Sequence, residues 1–189
     1  EMLSSITQPQ LERYYKLRYD RACKHSDSAV TLSFDSTSIS TYSNTINAAA
    51  WGHAKQNPEL RQVNYMTVCD HATGDVVFAC SYDGSINDQT ILPEIYLRMK
   101  FAGLDLTNNI LVTDRGFQSI YNTQTVINLN LKYIQFLSLK EGAVKAHLQR
   151  HKQALCDSIA HKDPVLGISA IAVPEEWKEN TDAGPIPVK

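Results

Sequence analysis

The chain has 189 residues, with 18 basic against 20 acidic side chains and a formal net charge of −2. That length holds one domain with a core and part of a second, and 43% hydrophobic with 8% aromatic residues describes a globular chain, not a disordered one. No apolar run approaches the roughly 18 residues of a membrane span, Glu1-Met2-Leu3-Ser4-Ser5 lacks the regions of a signal peptide, and four cysteines without a C-x-x-C pair read as reduced thiols of a cytosolic protein.

Residues 9–24 predict a helix with Leu11, Tyr14, Tyr15 and Leu17 as its apolar stripe. Residues 25–28 are a polar break. The alternation of Val30, Leu32 and Phe34 predicts a strand over 29–36, with Asp35 on its other face near its end. Residues 40–60 form a long polar loop, with a short helix expected at Ile46–Trp51. Residues 62–69 and 75–82 are β-rich and flank Asp70-His71-Ala72-Thr73-Gly74, a turn with a glycine for positive φ, so they predict a hairpin. Asn87 or Asp88 can cap a helix over 89–102, which Gly103 ends. A short buried-type strand over 109–113 runs into Asp114. A helix over 118–129, a strand over 133–139, a helix over 141–160 and a strand over 164–174 follow, and then a proline-rich tail.

Three strands able to pair antiparallel, then strand–helix–strand crossovers that require parallel pairing, predict a mixed β-sheet flanked by helices. This is the element order of a ribonuclease H-like α/β core. The expected domains are an N-terminal helical segment at 1–28, an incomplete catalytic core at 29–139 and the beginning of an insertion domain at 140–189.

If the strands that carry Asp35 and Asp114 are adjacent and parallel, both carboxylates emerge at one edge of the sheet, where α/β folds gather their ligands. Two carboxylates without a cationic partner suit a hard divalent cation such as Mg²⁺ or Mn²⁺. With a third they could hold two metals about 3.5–4 Å apart. The acidic net charge does not by itself advertise nucleic-acid binding. Local segments are more basic: Arg13, Lys16, Arg18, Arg21, Lys24 and His25 in one, and Lys140, Lys145, Arg150, Lys152 and Lys162 with His147, His151 and His161 in the other. A zinc site at Cys69, His71 and Cys80 lacks a recognised spacing.

Four segments, in order, resemble the insertion-sequence DDE transposases. Phe34-Asp35-Ser36-Thr37-Ser38 is similar to the first-aspartate motif. Trp51-Gly52-His53-Ala54-Lys55 with Gln62-Val63-Asn64-Tyr65 resembles the segment that follows it. Tyr82-Asp83-Gly84-Ser85-Ile86-Asn87-Asp88 is similar to the Gly-Ser-x-x-Asp stretch, and Leu111-Val112-Thr113-Asp114-Arg115-Gly116-Phe117 to the second-aspartate motif. The resemblance implies Asp35 and Asp114 as catalytic metal ligands, Mg²⁺ or Mn²⁺ as cofactor, DNA (transposon ends and target) as partner, a homodimer on DNA, and a nucleoid-associated cytoplasmic protein. By their charge and position His53, Lys55 and Arg115 are candidates for DNA contact, with Arg115 at a phosphate or paired with Asp35. Arg61 is a further candidate for the DNA backbone, and Tyr42 and Trp51 are expected to pack in the core, with base stacking as the alternative. Asp88 reads as a helix cap.

The family's third catalytic residue is a Glu in a Tyr-x-x-Arg-x-x-x-Glu helix, and no such pattern occurs here. Glu141, Glu175, Glu176 and Glu179 are the late candidates, and Glu141 follows the last core strand too closely. The third carboxylate is therefore expected beyond Lys189, in a longer protein of which this chain is an inactive piece. Another ribonuclease H-like nuclease and a catalytically inactive DNA-binding remnant are the alternatives.

Overall fold

The computed structural model describes residues 5–26, 29–53, 56–138, 142–174, 178–181 and 184–187. The chain divides into two compact units, 1–136 and 137–189.

In the first unit five strands form one sheet: β1 (Thr31–Thr41), β2 (Arg61–Asp70), β3 (Val76–Asp83), β4 (Ile110–Thr113) and β5 (Lys132–Gln135), in the order β3-β2-β1-β4-β5. β1 pairs antiparallel with β2, and β2 with β3, while β1–β4 and β4–β5 are parallel. This is the expected ribonuclease H-like mixed sheet. The hairpin between β2 and β3 turns at Gly74, whose φ of 74° any side chain would strain. Asp70 fastens the turn by accepting from the Ala72 N–H and the Thr73 hydroxyl.

Alternation along the strands sorts the sheet into two faces. Leu32, Phe34, Met66, Val68 and Leu111 are buried on one. Against it pack Tyr19 and Ala22 from α1 (Gln8–Lys24), Ile91, Leu92, Ile95, Tyr96 and Met99 from α2 (Asp88–Phe101), and Val126 from α3 (Ile120–Asn128). On the other face Asp35, Thr37 and Ile39 are exposed, and Val63, Tyr65 and Thr67 are half-buried.

Several expectations are corrected. The inward stripe of α1 is the buried Tyr19 and Ala22 with the half-buried Tyr15, while Tyr14 and Leu17 are exposed. The Tyr19 hydroxyl donates to the carbonyl of Asp105 and accepts from the Asn109 side chain, which turns that line of the helix inward. β1 does not end near residue 36 but continues to Thr41, because β2 supplies backbone partners along its whole length. No helix forms at Ile46–Trp51. Ala50 instead exchanges both backbone hydrogen bonds with Gln62, and a turn closed by the Ala49 N–H on the Ile46 carbonyl leads into it.

In the second unit α4 spans Gly142–Asp157. The strand expected at 164–174 is absent. A tight turn takes its place, with Gly167 at φ 68° and Asp163 accepting from the Val165 and Leu166 N–H groups. Within the proline-rich tail β6 (Lys178–Thr181) and β7 (Gly184–Pro187) pair antiparallel.

Candidate active site

The parallel ladder between β1 and β4 runs from Thr31 opposite Ile110 to Phe34 opposite Thr113. Asp35 and Asp114 are the next residues of the two strands, so they occupy the first position after the last paired rung. Neighbouring strands lie about 4.8 Å apart and side chains alternate. Phe34 and Thr113 point into the core, and Asp35 and Asp114 belong to the opposite, exposed face. Asp35 was expected near the end of its strand. It lies inside β1 instead, where β4 turns away and leaves one edge of β1 open.

A single turn of 3₁₀ helix at Arg115–Phe117 makes β4 turn. Asp114 caps it, its Oδ1 accepting from the Gly116 N–H at 2.8 Å. A Cβ on Gly116 would stand 3.0 Å from that same oxygen, so the glycine keeps the cap close. Phe117 is 1% exposed and anchors the turn in the core, and Asn122 donates to its carbonyl at 2.7 Å. The backbone carrying Asp114 is thus held from both sides.

Asp35 faces β2 opposite Thr67, whose hydroxyl donates to the Asp35 carbonyl at 3.4 Å. Its negative charge is felt two rungs away. The Cys69 thiol is pushed up, mainly by its own burial and secondarily by Asp35. The ion pairs found among the described residues involve neither Asp35, Asp114 nor Arg115. The expected alternative in which Arg115 pairs with Asp35 is therefore not seen, and Arg115 is exposed beside the two carboxylates. No group of three or more metal-ligating side chains occurs among the described residues. Glu141, Glu175 and Glu176 lie outside them.

A cleft of about 540 Å³ is lined among others by Ser36, His53, Gln62, Asn64, Asp88 and Gly116, and Asp35 and Asp114 are not among its lining residues. His53 is exposed on it, and Lys55 lies outside the described residues. Arg61 is not free for DNA, since its guanidinium donates to the Ser43 carbonyl and the Asn44 side chain. Tyr42 and Trp51 are 84% and 63% exposed, so core packing does not account for them. The cap of α2 is Asn87, which accepts from the Thr90 N–H. Asp88 follows it and accepts from the hydroxyls of Ser36 and Tyr82, each at 2.6 Å. Burial, and then this hydrogen bond to a carboxylate, push the Tyr82 hydroxyl well above its ordinary range.

The motif residues between the two aspartates prove to be mutual packing partners. Gln62 donates to the Gly84 carbonyl at 2.9 Å and Asn64 to the Ile86 carbonyl at 2.8 Å. A Cβ on Gly84 would stand 1.9 Å from the Gln62 carbonyl oxygen, and one on Gly52 2.0 Å from that of Gly84. Sequence reading assigned these residues no role. The available signal was Ser36, Ser38, Gln62 and Asn64 at the inward positions of β1 and β2, where apolar residues would otherwise stand.

Among solved structures the chain is similar to the Mos1 transposase in a paired-end complex with the left transposon end. The two are 13% identical with a TM-score of 0.41 over 84% of this chain and 57% of that one. It is also similar to the piggyBac transposase in a synaptic complex with hairpin DNA, at 12% identity and a TM-score of 0.42 over 74% of this chain and 30% of that one. This chain therefore spans little more than half of the first relative and under a third of the second. No match is found among curated proteins. The family model described as the transposase DDE domain matches residues 27–165. By that match, which takes in the sheet, both aspartates and the motifs between them, the chain belongs to the transposase DDE domain family.

Proposed function

We propose that this chain is the catalytic part of a DNA transposase, and that Asp35 and Asp114 hold the divalent metal, Mg²⁺ or Mn²⁺, with which DNA is cut and joined at transposon ends. The observation that carries the reading is the shared level and shared face of the two aspartates in a chain of this family. The donor set fits the ion. Both side chains are exposed carboxylates, which are hard oxygen ligands, and no described cation pairs with them. Side by side without a cation they repel each other. When bound, the metal polarises phosphoryl oxygens and activates the attacking hydroxyl.

The chain's own residues then have distinct tasks. The Gly116 N–H holds one oxygen of Asp114 and so limits the rotation of that carboxylate. Arg115, charged and exposed, is suited to a phosphate oxygen of the bound strand. His53 on the cleft, and Lys55, are suited to the neighbouring backbone. Phosphoryl transfer depends mostly on positioning and charge neutralisation, which rigid strands supply better than loops. The reading includes a homodimer on DNA and a nucleoid-associated cytoplasmic location. No helix among the described residues is long and apolar enough to cross a membrane.

The test is Mn²⁺ binding by calorimetry on the purified chain, followed by strand cleavage and joining in the full-length protein. Asp35→Asn and Asp114→Asn should each weaken Mn²⁺ binding at least about tenfold, by analogy with other lost contacts to a metal site, and abolish cleavage. Wild-type Mn²⁺ affinity in both variants would refute the reading.

A further inference from the structure

The basic segment on α4 has no part in the site described above. Val144, His147, His151, Ala154 and Leu155 are half-buried and recur at helical spacing, so they form one stripe. Lys145, Gln149, Arg150, Lys152 and Gln153 are exposed on the remaining surface. At about 100° per residue, Gln149 and Gln153 lie at the middle of the exposed face, Lys145 and Lys152 on one flank and Arg150 on the other. The only acid on the helix, Asp157, is its last residue. Lys145 and Lys152 are two turns apart, about 10.5 Å along the axis.

Cations on both flanks and amides at the crest match a duplex major groove. That groove is about 12 Å wide and admits a helix. Its walls are phosphates, and its floor offers adenine N7 and N6, to which a glutamine amide can bond with both of its ends. We propose that α4 seats in the major groove of duplex DNA, with Lys145, Lys152 and Arg150 on the phosphates and Gln149 and Gln153 at the base edges. The stacked rings of His147 and His151, 6.3 Å apart, are a weaker candidate as a metal chelate. They lie on the half-buried stripe, and three nearby cations oppose a metal ion. The inference rests on the reading of DNA as this protein's substrate.

The experiment is fluorescence anisotropy of the full chain on a mixed-sequence duplex between about 50 and 200 mM salt. Each lost phosphate contact lowers the slope of log affinity against log salt by about 0.9, so Lys145→Ala, Arg150→Ala and Lys152→Ala together should lower it by about 2.7. Each single variant should lower it by about 0.9, which keeps the test valid if circular dichroism shows the triple variant unfolded. Gln149→Ala with Gln153→Ala should keep the slope and lose the base preference that wild type shows in selection from a randomised duplex pool. Folded cation variants with the wild-type slope, or a wild type that does not bind the duplex, overturn the inference. A retained base preference in the glutamine variant overturns the groove assignment. Mn²⁺ binding without DNA separates the two proposals: α4 variants should keep it, whereas Asp35→Asn should lose it and keep the salt slope.

Discussion

Asp35 and Asp114 stand at the same level on two adjacent parallel strands, one residue beyond the rung that joins Phe34 to Thr113. Both are exposed, and neither takes part in an ion pair found among the described residues. Replacing either by Asn removes the charge that holds a cation and also the repulsion between the pair. Metal binding should therefore fall at least about tenfold and cleavage by orders of magnitude, while the melting temperature without metal stays the same or rises slightly. Asp114→Asn keeps an oxygen for the Gly116 N–H, whereas Asp114→Ala loses the cap and should cost about 1 kcal/mol. Thermal melts of the three variants, with and without Mn²⁺, check both parts.

Asp88 should behave in the opposite way. Its carboxylate holds Ser36 and Tyr82, so Asp88→Ala removes the charged acceptor of two hydroxyls and should destabilise the fold by about 1–3 kcal/mol. Tyr82→Phe should cost less, since Asp88 still accepts from Ser36 and no donor is left behind. Mn²⁺ affinity should be unchanged in the folded Tyr82→Phe protein. A tenfold loss of affinity there would make Asp88 part of the metal site.

The junction of Gly52, Gln62 and Gly84 has no room for a methyl group. Gly84→Ala brings a Cβ within 1.9 Å of a backbone carbonyl, and backbone cannot step aside as a flexible side chain can. A loss of about 1–3 kcal/mol or more is expected by urea denaturation. Gly142→Ala, which meets nothing within 4 Å, should be neutral or slightly stabilising.

Alkaline pH should destabilise the first unit. Burial, and secondarily the nearby Tyr65, push the Tyr15 hydroxyl up to about 12. The fold thus favours the neutral phenol, while the unfolded chain ionises near 10. This contribution is complete below about pH 10 and is lost as the pH rises from about 10 towards 12. Urea midpoints across that window should fall more steeply for wild type than for Tyr15→Phe. Equal slopes would remove Tyr15 from the account.

Local chemistry made much of this protein legible from its sequence. Alternation in Val30, Leu32 and Phe34, the glycine of the 70–74 turn and the Asn87 cap are consequences of backbone sterics and of neighbours two to four residues away, and each is found where it was read. The element order also limited the sheet to very few topologies, so the meeting of Asp35 with Asp114 could be expected. What the sequence could not decide is set by distant partners. β1 runs on to Thr41 because β2 pairs with it throughout, so the position of Asp35 is defined by where β4 ends. α1 buries Tyr19 and not Tyr14 or Leu17, because more than eighty residues away the Asp105 carbonyl accepts from the Tyr19 hydroxyl and Asn109 donates to it. Gln62 and Asn64 look misplaced on a buried face until the carbonyls of Gly84 and Ile86 are seen to close on them. The buried amide N–H groups of both side chains are tolerated because those carbonyls accept from them, and those partners come from the tertiary structure.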